Sequence, residues 1–231
     1  MKVLGVNELA TRLPAALAAL FTISLLFWFS KKHLKSTLTA YLTALILIST
    51  KGFIVKHVSR TGDYDALLVL FMTAQVLFFW LFLEAEEEKK RGRYALLFGL
   101  SVALAVLTKS VVGLMFLPGM ALYVLWQKKI RAVLRYSKTW MAVLGAIVMI
   151  AGYYLLREQY NPGYLQAVYE NELGGRYLNA LEGHDAPFLW YAERLVTIQF
   201  VPWVYLLGGG LLILAFKNRF RIPSNFGFSA F

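Results

Sequence analysis

A small set of charged side chains lies at the ends of long apolar stretches or in the long loop between two of them, where a membrane would hold them close to its surface. These candidates are Arg12, Asp65, Lys109, Glu172, Arg176 and His184. A charge beside a hydrocarbon core is costly, so such residues tend to mark function. Guanidinium and ammonium groups bind phosphate strongly, and a carboxylate can act as a general base. The pattern therefore favours phosphate chemistry at a membrane surface.

Simpler roles stay open for several of these residues. Asp65 would also serve as the N-terminal cap of a helix beginning at Ala66. Lys109 could simply extend to the lipid headgroups, and His184 stands in a loop-like stretch. An ion pair between Asp65 and Lys109 would make both charges less costly to place. Reversing both charges should then rescue what either single reversal destroys.

The elements that must hold these residues are apolar stretches long enough, at 1.5 Å per residue, to cross a hydrocarbon core. They lie at roughly 13–30, 38–55, 65–83, 94–112, 113–126, 140–156 and 195–216. Lys109 and Gly113 interrupt the stretch 94–126, which suits two helices joined by a tight turn. The sequence predicts an all-α polytopic membrane helix bundle with about seven transmembrane helices, forming one domain over residues 1–231.

The composition agrees with a membrane protein. Hydrophobic residues make up 59% of the chain and charged residues 16%, against about 25% charged residues in soluble domains. The net charge of +11 comes from short clusters of Lys and Arg between apolar runs, which argues against nucleic acid as a partner. The absence of cysteine excludes disulfides and thiolate metal sites.

The positive charges also predict an orientation. Segments 31–36, 84–93, 127–138 and 217–221 hold 15 of the 24 Lys and Arg residues, and such segments stay on the cytoplasmic side. Seven crossings then place residue 1 and a long loop, 157–193, on the exterior face. Pro162, Gly174 and Gly183 divide this loop. Its part 164–181 has an apolar period suited to a helix lying on the membrane surface.

Four motifs follow one another along the chain. Gly5–Leu17 reads GVNELATRLPAAL, Ser59–Leu68 reads SRTGDYDALL and Leu107–Gly113 reads LTKSVVG, while the fourth combines Glu172–Tyr177, Gly183–Tyr191 and Val201–Trp203. In this order and spacing they resemble the bacterial branch of the dolichyl-phosphate-mannose–protein mannosyltransferase superfamily, which includes the lipid A aminoarabinose transferase. Together the motifs cover nearly the whole chain.

The resemblance implies a membrane glycosyltransferase of the C-type fold. Such an enzyme transfers a sugar from a polyprenyl-phosphate carrier to a lipid, glycan or protein acceptor on the exterior face of the cytoplasmic membrane. The resemblance assigns residues to two roles: Arg176, His184 and Tyr191 to binding of the carrier phosphate, and Arg12, Asp65 and Lys109 to structural support of the active site.

One departure from the family concerns the catalytic acid. In relatives this acid lies in a first exterior loop, and this sequence begins at the motif that follows that loop. Neither Glu8 nor Asp63 matches the acid. We therefore expect an internal fragment of a longer enzyme, or a truncated open reading frame, that is inactive by itself and whose catalytic residues are unknown. No cofactor is assigned; His184 is compatible with a divalent metal, but spacing alone fixes no metal site.

Two other classes of function stay open. A transporter or flippase for lipid-linked sugars would line a pathway with charged residues, but spans 13–30, 65–83 and 140–156 carry none in mid-membrane, and no inverted repeat is found. A non-catalytic membrane scaffold that binds a missing partner is compatible with the absent catalytic loop.

Overall fold

The computed structural model describes residues 5, 7–54, 62–170 and 189–217. Every regular element in these ranges is helical, which confirms the all-α prediction. The first helices are α1 Glu8–Lys32, α2 Thr37–Ser49, α3 Lys51–Ile54, α4 Asp65–Glu84 and α5 Glu88–Lys109, which leads into a 3₁₀ turn at Ser110–Leu114. After these come α6 Leu117–Trp126, α7 Ile130–Leu134, α8 Ser137–Tyr160, α9 Tyr164–Val168, α10 Trp190–Arg194, a π-helical turn at Leu195–Gln199, and α11 Trp203–Lys217.

The described helices confirm a polytopic membrane protein but give fewer full spans than the seven predicted. Four segments are long and apolar enough to cross a membrane: Glu8–Lys32, Asp65–Glu84, Glu88–Leu114 and Ser137–Tyr160. A fifth is counted if Trp190–Gln199 and Trp203–Phe216, which meet at a bend of 99°, form one span. The predicted spans 38–55 and 113–126 contain the apolar helices α2 and α6, which have only 13 and 10 residues.

Local chemistry explains these shorter helices. The predicted span 38–55 is divided because Thr50 is extended at φ −79° and ψ 119°. The hydroxyls of Ser49 and Thr50 both bond back to carbonyls of the preceding turn, an arrangement that often bends helices. The predicted span 113–126 becomes helical only at Leu117, next to Pro118, which suits the first turn of a helix.

The described chain forms two compact units. The first contains α1, α2 and α3 together with α10, the π-helical turn and α11. Within it α1 packs against α2, and Asn7 and Ser36 cap these two helices through their side-chain oxygens. The second unit contains α4 from Leu67 onward and continues to α9. The prediction of a single domain over the whole chain stays a prediction.

Small residues let the helices of the second unit approach closely. Ala95, Gly99 and Ala103 recur every four residues along α5 and are buried, and α5 packs against α8. A Cβ at Gly99 would lie 2.7 Å from the carbonyl oxygen of Ala142 on α8. Small residues at this spacing are typical of helix contacts inside membranes, where van der Waals packing replaces the hydrophobic effect.

Large apolar side chains cover the outside of these helices. On α8, for example, Leu144 is 63% exposed, Val148 62% and Leu155 63%. An aqueous surface would not tolerate so much contiguous apolar area, so this face is suited to an apolar environment such as hydrocarbon. Hydroxyls in these helices bond within their own helix, as Ser101 on α5 does to the carbonyl oxygen of Leu97 at 2.7 Å.

Candidate functional site

The third motif forms a sharp reversal at the end of α5. The helix ends at Lys109, Ser110 has φ +46°, and the 3₁₀ turn then packs back against α5. Gly113 permits this approach, because a Cβ there would lie 2.5 Å from the carbonyl carbon of Ala105 and 2.6 Å from the next backbone nitrogen. The glycine of the motif is therefore a packing requirement that fixes the chain direction just beyond Lys109.

A buried amide supports the same reversal from α4. The Gln75 side chain has no exposed surface, and its Nε2 donates a long hydrogen bond of 3.5 Å to the carbonyl oxygen of Gly113. Its Oε1 has no partner among the described residues. Gln75 was not singled out from the sequence, although an amide within an apolar span is a signal in itself, because its desolvation must be offset by a partner.

The first two motifs meet within the first unit. A Cβ at Gly62 would lie 2.6 Å from Cγ2 of Thr11 and 3.1 Å from its carbonyl oxygen. Thr11 is followed by Arg12, whose Nη2 pairs with Glu8 at 2.6 Å on the surface of α1. The close approach therefore brings the segment that leads into Asp65 beside the start of α1.

The chain leaves α8 through a capped corner. Both oxygens of Glu158 accept backbone N–H groups, from Gly163 at 2.9 Å and from Leu165 at 2.7 Å. Gly163 has φ +92°, which a side chain would strain. The guanidinium carbon of Arg157 lies 5.0 Å from the centroid of the Tyr164 ring, within cation–π range. These contacts fix the start of α9.

An apolar cavity of about 390 Å³ lies between this corner and the reversal. The residues that line it are Val106, Ser110, Val111, Leu114, Tyr154, Leu165, Val168 and Tyr169. Burial, together with neighbouring Tyr153, raises the pKa of the Tyr164 phenol beside it, so this phenol stays protonated at neutral pH. A cavity of this kind suits the hydrocarbon part of an amphiphilic ligand.

A second, open cavity of about 690 Å³ lies in the first unit. Its lining residues are Trp190, Tyr191, Ala192, Arg194, Leu195 and Gln199. The rings of Trp190 and Tyr191 stand edge to face with centroids 5.0 Å apart, and the Arg194 guanidinium carbon lies 5.0 Å from the Trp190 centroid. Aromatic faces beside a permanent cation can bind a ligand that joins a phosphate to an apolar chain or a sugar.

The end of α2 and the beginning of α3 hold this second cavity in place. Trp203 Nε1 donates to Ser49 Oγ at 2.8 Å. A Cβ at Gly52 would lie 3.1 Å from the side-chain oxygen of Gln199. The end of the π-helical turn and the start of α11 thus lie against the α2–α3 junction, and the Trp190–Arg194 helix precedes this turn.

The structure places four of the six site residues predicted from the sequence. Arg12 lies in an exposed ion pair on α1; Asp65 is the first residue of α4 and Lys109 the last of α5, and both are half-buried. Asp65 thus lies inside the helix, where the helix dipole favours a negative charge. Tyr191 is 75% exposed and lines the second cavity. Arg176 and His184, with Glu172, lie outside the described residues.

The predicted roles of these residues, including the Asp65–Lys109 ion pair, stay predictions. No group of three His, Asp or Glu side chains that could hold a metal is found among the described residues. Arg194 was not singled out from the sequence. The sequence does contain an indication of this contact: Trp190 and Arg194 are four residues apart, and side chains at this spacing are neighbours on a helix.

Residues 1–154 match the sequence model of the family described as dolichyl-phosphate-mannose-protein mannosyltransferase. This stretch is two thirds of the chain and contains the first three motifs. The chain belongs to this family. The resemblance drawn from the motifs is therefore confirmed, and the protein is a multi-pass membrane member of a glycosyltransferase family.

Relatives with the name undecaprenyl phosphate-alpha-4-amino-4-deoxy-L-arabinose arabinosyl transferase are similar to nearly the whole chain. The protein from Edwardsiella ictaluri is 30% identical over 210 residues, which is 90% of this chain and 37% of the relative. The protein from Aeromonas hydrophila is 27% identical over 209 residues, with the same shares. The protein from Yersinia enterocolitica is 24% identical over 226 residues, 97% of this chain and 40% of the relative. The chain thus spans less than half the length of these relatives. No solved structure matches it.

Proposed function

We propose that this chain belongs to a membrane glycosyltransferase that transfers a sugar from a polyprenyl-phosphate carrier to a lipid, glycan or protein acceptor. The observation that carries the proposal is its membership of the mannosyltransferase family. Relatives over 90% of the chain are named as transferases of a sugar carried on undecaprenyl phosphate, which supports a carrier of this kind.

The second cavity is the part of the described chain that best suits the carrier. In this proposal Arg194 binds the carrier phosphate, because its guanidinium is held at the cavity by the Trp190 ring. Tyr191 adds a hydroxyl and an aromatic face. Arg176 and His184 belong to the preceding segment of the same motif and would add further cationic donors to the phosphate.

The reaction is a displacement at the anomeric carbon of the sugar. A bond forms between an acceptor oxygen and this carbon while the bond to the carrier phosphate oxygen breaks. Cations stabilise the departing phosphate as its negative charge develops, and a carboxylate base takes the proton of the acceptor hydroxyl. Arg194 is suited to the first task. We assign the base to no residue of this chain.

In this proposal, two structural features support the active site without contacting the carrier. They are the chain reversal after Lys109 and the contact between the first two motifs. Asp65 and Lys109 stand at the ends of α4 and α5, and Arg12 follows the residue that contacts Gly62. The charge distribution supports a cytoplasmic membrane location with these ends on the exterior side.

The test is binding of undecaprenyl phosphate to the purified protein in detergent micelles, followed by native mass spectrometry, with undecaprenol as the phosphate-free comparison. Loss of a hydrogen bond to a charged group costs about 1.5–3 kcal/mol. Arg194→Gln should therefore weaken binding of undecaprenyl phosphate by about tenfold to a hundredfold and leave binding of undecaprenol unchanged.

Arg157→Gln is the matched control for this variant. Arg157 is also exposed and lies at the same 5.0 Å from an aromatic centroid, but it does not line the second cavity. It should bind undecaprenyl phosphate like the wild type. Equal binding of the phosphate and the alcohol by the wild type, or equal losses in the two variants, would reject the proposal.

A further inference from the structure

Several segment ends of the second unit are tied together at one end of its helices. Lys129, from the connection after α6, pairs with Glu84 at 2.8 Å at the end of α4. Phe82 and Tyr136 stack with ring centroids 5.9 Å apart, and the guanidinium carbon of Arg91 on α5 lies 5.3 Å and 4.6 Å from these centroids. Tyr136 in turn donates to the carbonyl oxygen of Glu88 at 3.2 Å. The helix ends therefore form one continuous surface.

Three cations on this surface take no part in the ion pair and ring contacts just described. Lys128, Arg131 and Arg135 are exposed, and none of them has an ion pair or a ring contact within the part of the chain that the structure describes. The segment 127–138 contains no Asp or Glu that could neutralise them. By contrast, the neighbouring segment 84–93 carries four acids, and its Lys90 pairs with Glu87 at 2.8 Å.

Exposed aromatic side chains place these cations at the depth of the lipid headgroups. Trp126 at the end of α6 is 64% exposed, and Trp140 in the first turn of α8 is 56% exposed. Trp140 Nε1 donates to the carbonyl oxygen of Leu134, the last residue of α7, at 2.8 Å. Trp side chains favour the boundary between hydrocarbon and headgroups. The short helix α7 therefore lies between these two tryptophans along the chain, and Trp140 holds its end.

We propose that the surface formed by Lys128, Arg131 and Arg135 binds the phosphate headgroups of acidic phospholipids in the surrounding bilayer. Basic clusters next to transmembrane helices attract anionic lipids, and arginine binds phosphate through paired donors. Acidic lipid is favoured over a soluble partner because the cations stand near exposed tryptophans, one of which, Trp140, is in the first turn of the membrane-spanning helix α8. The inference rests on the membrane topology of the unit and is independent of sugar transfer.

The test uses the full chain in maltoside micelles and measures its affinity for phosphatidylglycerol and for phosphatidylcholine of the same acyl chains by native mass spectrometry. Each cation near an acidic surface strengthens binding by about fivefold. The triple variant K128Q/R131Q/R135Q should therefore lose about 100-fold in phosphatidylglycerol affinity and little in phosphatidylcholine affinity. The matched control K89Q/K90Q/R93Q removes the same number of exposed cations from the segment that also carries acids, and it should lose less than about fivefold.

A charge-conserving variant separates charge from folding. R131K/R135K should keep wild-type selectivity to within about threefold, because the positive charges stay. Equal affinity of the wild type for the two lipids, equal losses in the two triple variants, or loss of binding in R131K/R135K would each overturn the inference. The K128Q/R131Q/R135Q variant should still bind undecaprenyl phosphate like the wild type. Loss of phosphatidylglycerol binding in this variant is therefore a separate result from loss of carrier binding in Arg194→Gln.

Discussion

Replacing Gly113 with alanine should destabilise the reversal that follows Lys109. The added Cβ would lie 2.5 Å from the carbonyl carbon and 2.7 Å from the carbonyl oxygen of Ala105. Both are backbone atoms of a helix that is packed on its other side against α8, so they cannot rotate away as a flexible side chain could. The 3₁₀ turn must then shift outward, which also lengthens the 3.5 Å hydrogen bond from Gln75.

The magnitude follows from the cost of overpacking, about 1–3 kcal/mol. At about 2–4 °C per kcal/mol for a chain of this size, we expect a midpoint lower by roughly 4–8 °C for a loss of about 2 kcal/mol. The assay is thermal unfolding in detergent micelles, followed by tryptophan fluorescence.

Gly145→Ala on α8 is the control for this variant. A Cβ at Gly145 meets no atom within 4 Å, and alanine is the better helix former by up to about 1 kcal/mol. The control should therefore unfold at or slightly above the wild-type temperature. If Gly113→Ala unfolds at the same temperature as Gly145→Ala, the assignment of Gly113 as a packing requirement is wrong.

Three further predictions concern other described contacts. The buried Gln75 side chain makes only one long hydrogen bond, so Gln75→Leu, which keeps its volume, should change stability by less than about 1 kcal/mol. Gln75→Ala leaves a cavity and should cost about 2 kcal/mol or more. Equal thermal midpoints of the two variants would contradict this. Arg91→Lys should lose about 0.5–1 kcal/mol in thermal unfolding, because lysine lacks the planar guanidinium that lies against the rings of Phe82 and Tyr136; a wild-type midpoint would show that these cation–π contacts contribute nothing. Partial burial and the adjacent Lys32 lower the pKa of His33 in the folded protein below its ordinary value of 6.5. The contribution of His33 to stability is therefore fully present above pH 6.5 and is lost as the pH falls through the lower pKa of the folded state. The wild type should therefore lose more stability than His33→Gln between about pH 7.5 and about pH 5, and parallel pH curves would disprove the assignment.

The positions of the helices followed from the sequence because apolar length is a strong signal. The stretches near 13–30, 65–83 and 140–156 are all covered by helices of spanning length. The predicted interruption at Lys109 is also where α5 ends. The lengths of α2 and α6 did not follow, since hydropathy does not register the back-bonded hydroxyls at Ser49 and Thr50 or the 3₁₀ geometry after Ser110.

The candidate site was harder to predict because its parts depend on packing. The motif containing Lys109 was recognisable, but its support by Gln75 depends on which face of α4 is buried. Tyr191 was predicted from the family pattern. The position of Arg194 over Trp190 became visible only once the α10 helix was known. Arg176 and His184 lie outside the described residues, so the carrier-binding assignment depends on the neighbouring cavity.

Photo-crosslinking tests the central claim, carrier binding, most directly. A benzophenone-bearing analogue of undecaprenyl phosphate would be irradiated with the purified protein, and the labelled peptides identified by mass spectrometry. We predict labelling within residues 189–199, around Tyr191 and Arg194, that unlabelled undecaprenyl phosphate displaces and undecaprenol does not. Labelling of this segment that undecaprenol displaces equally well, or labelling spread evenly over the lipid-facing helices, would contradict the account.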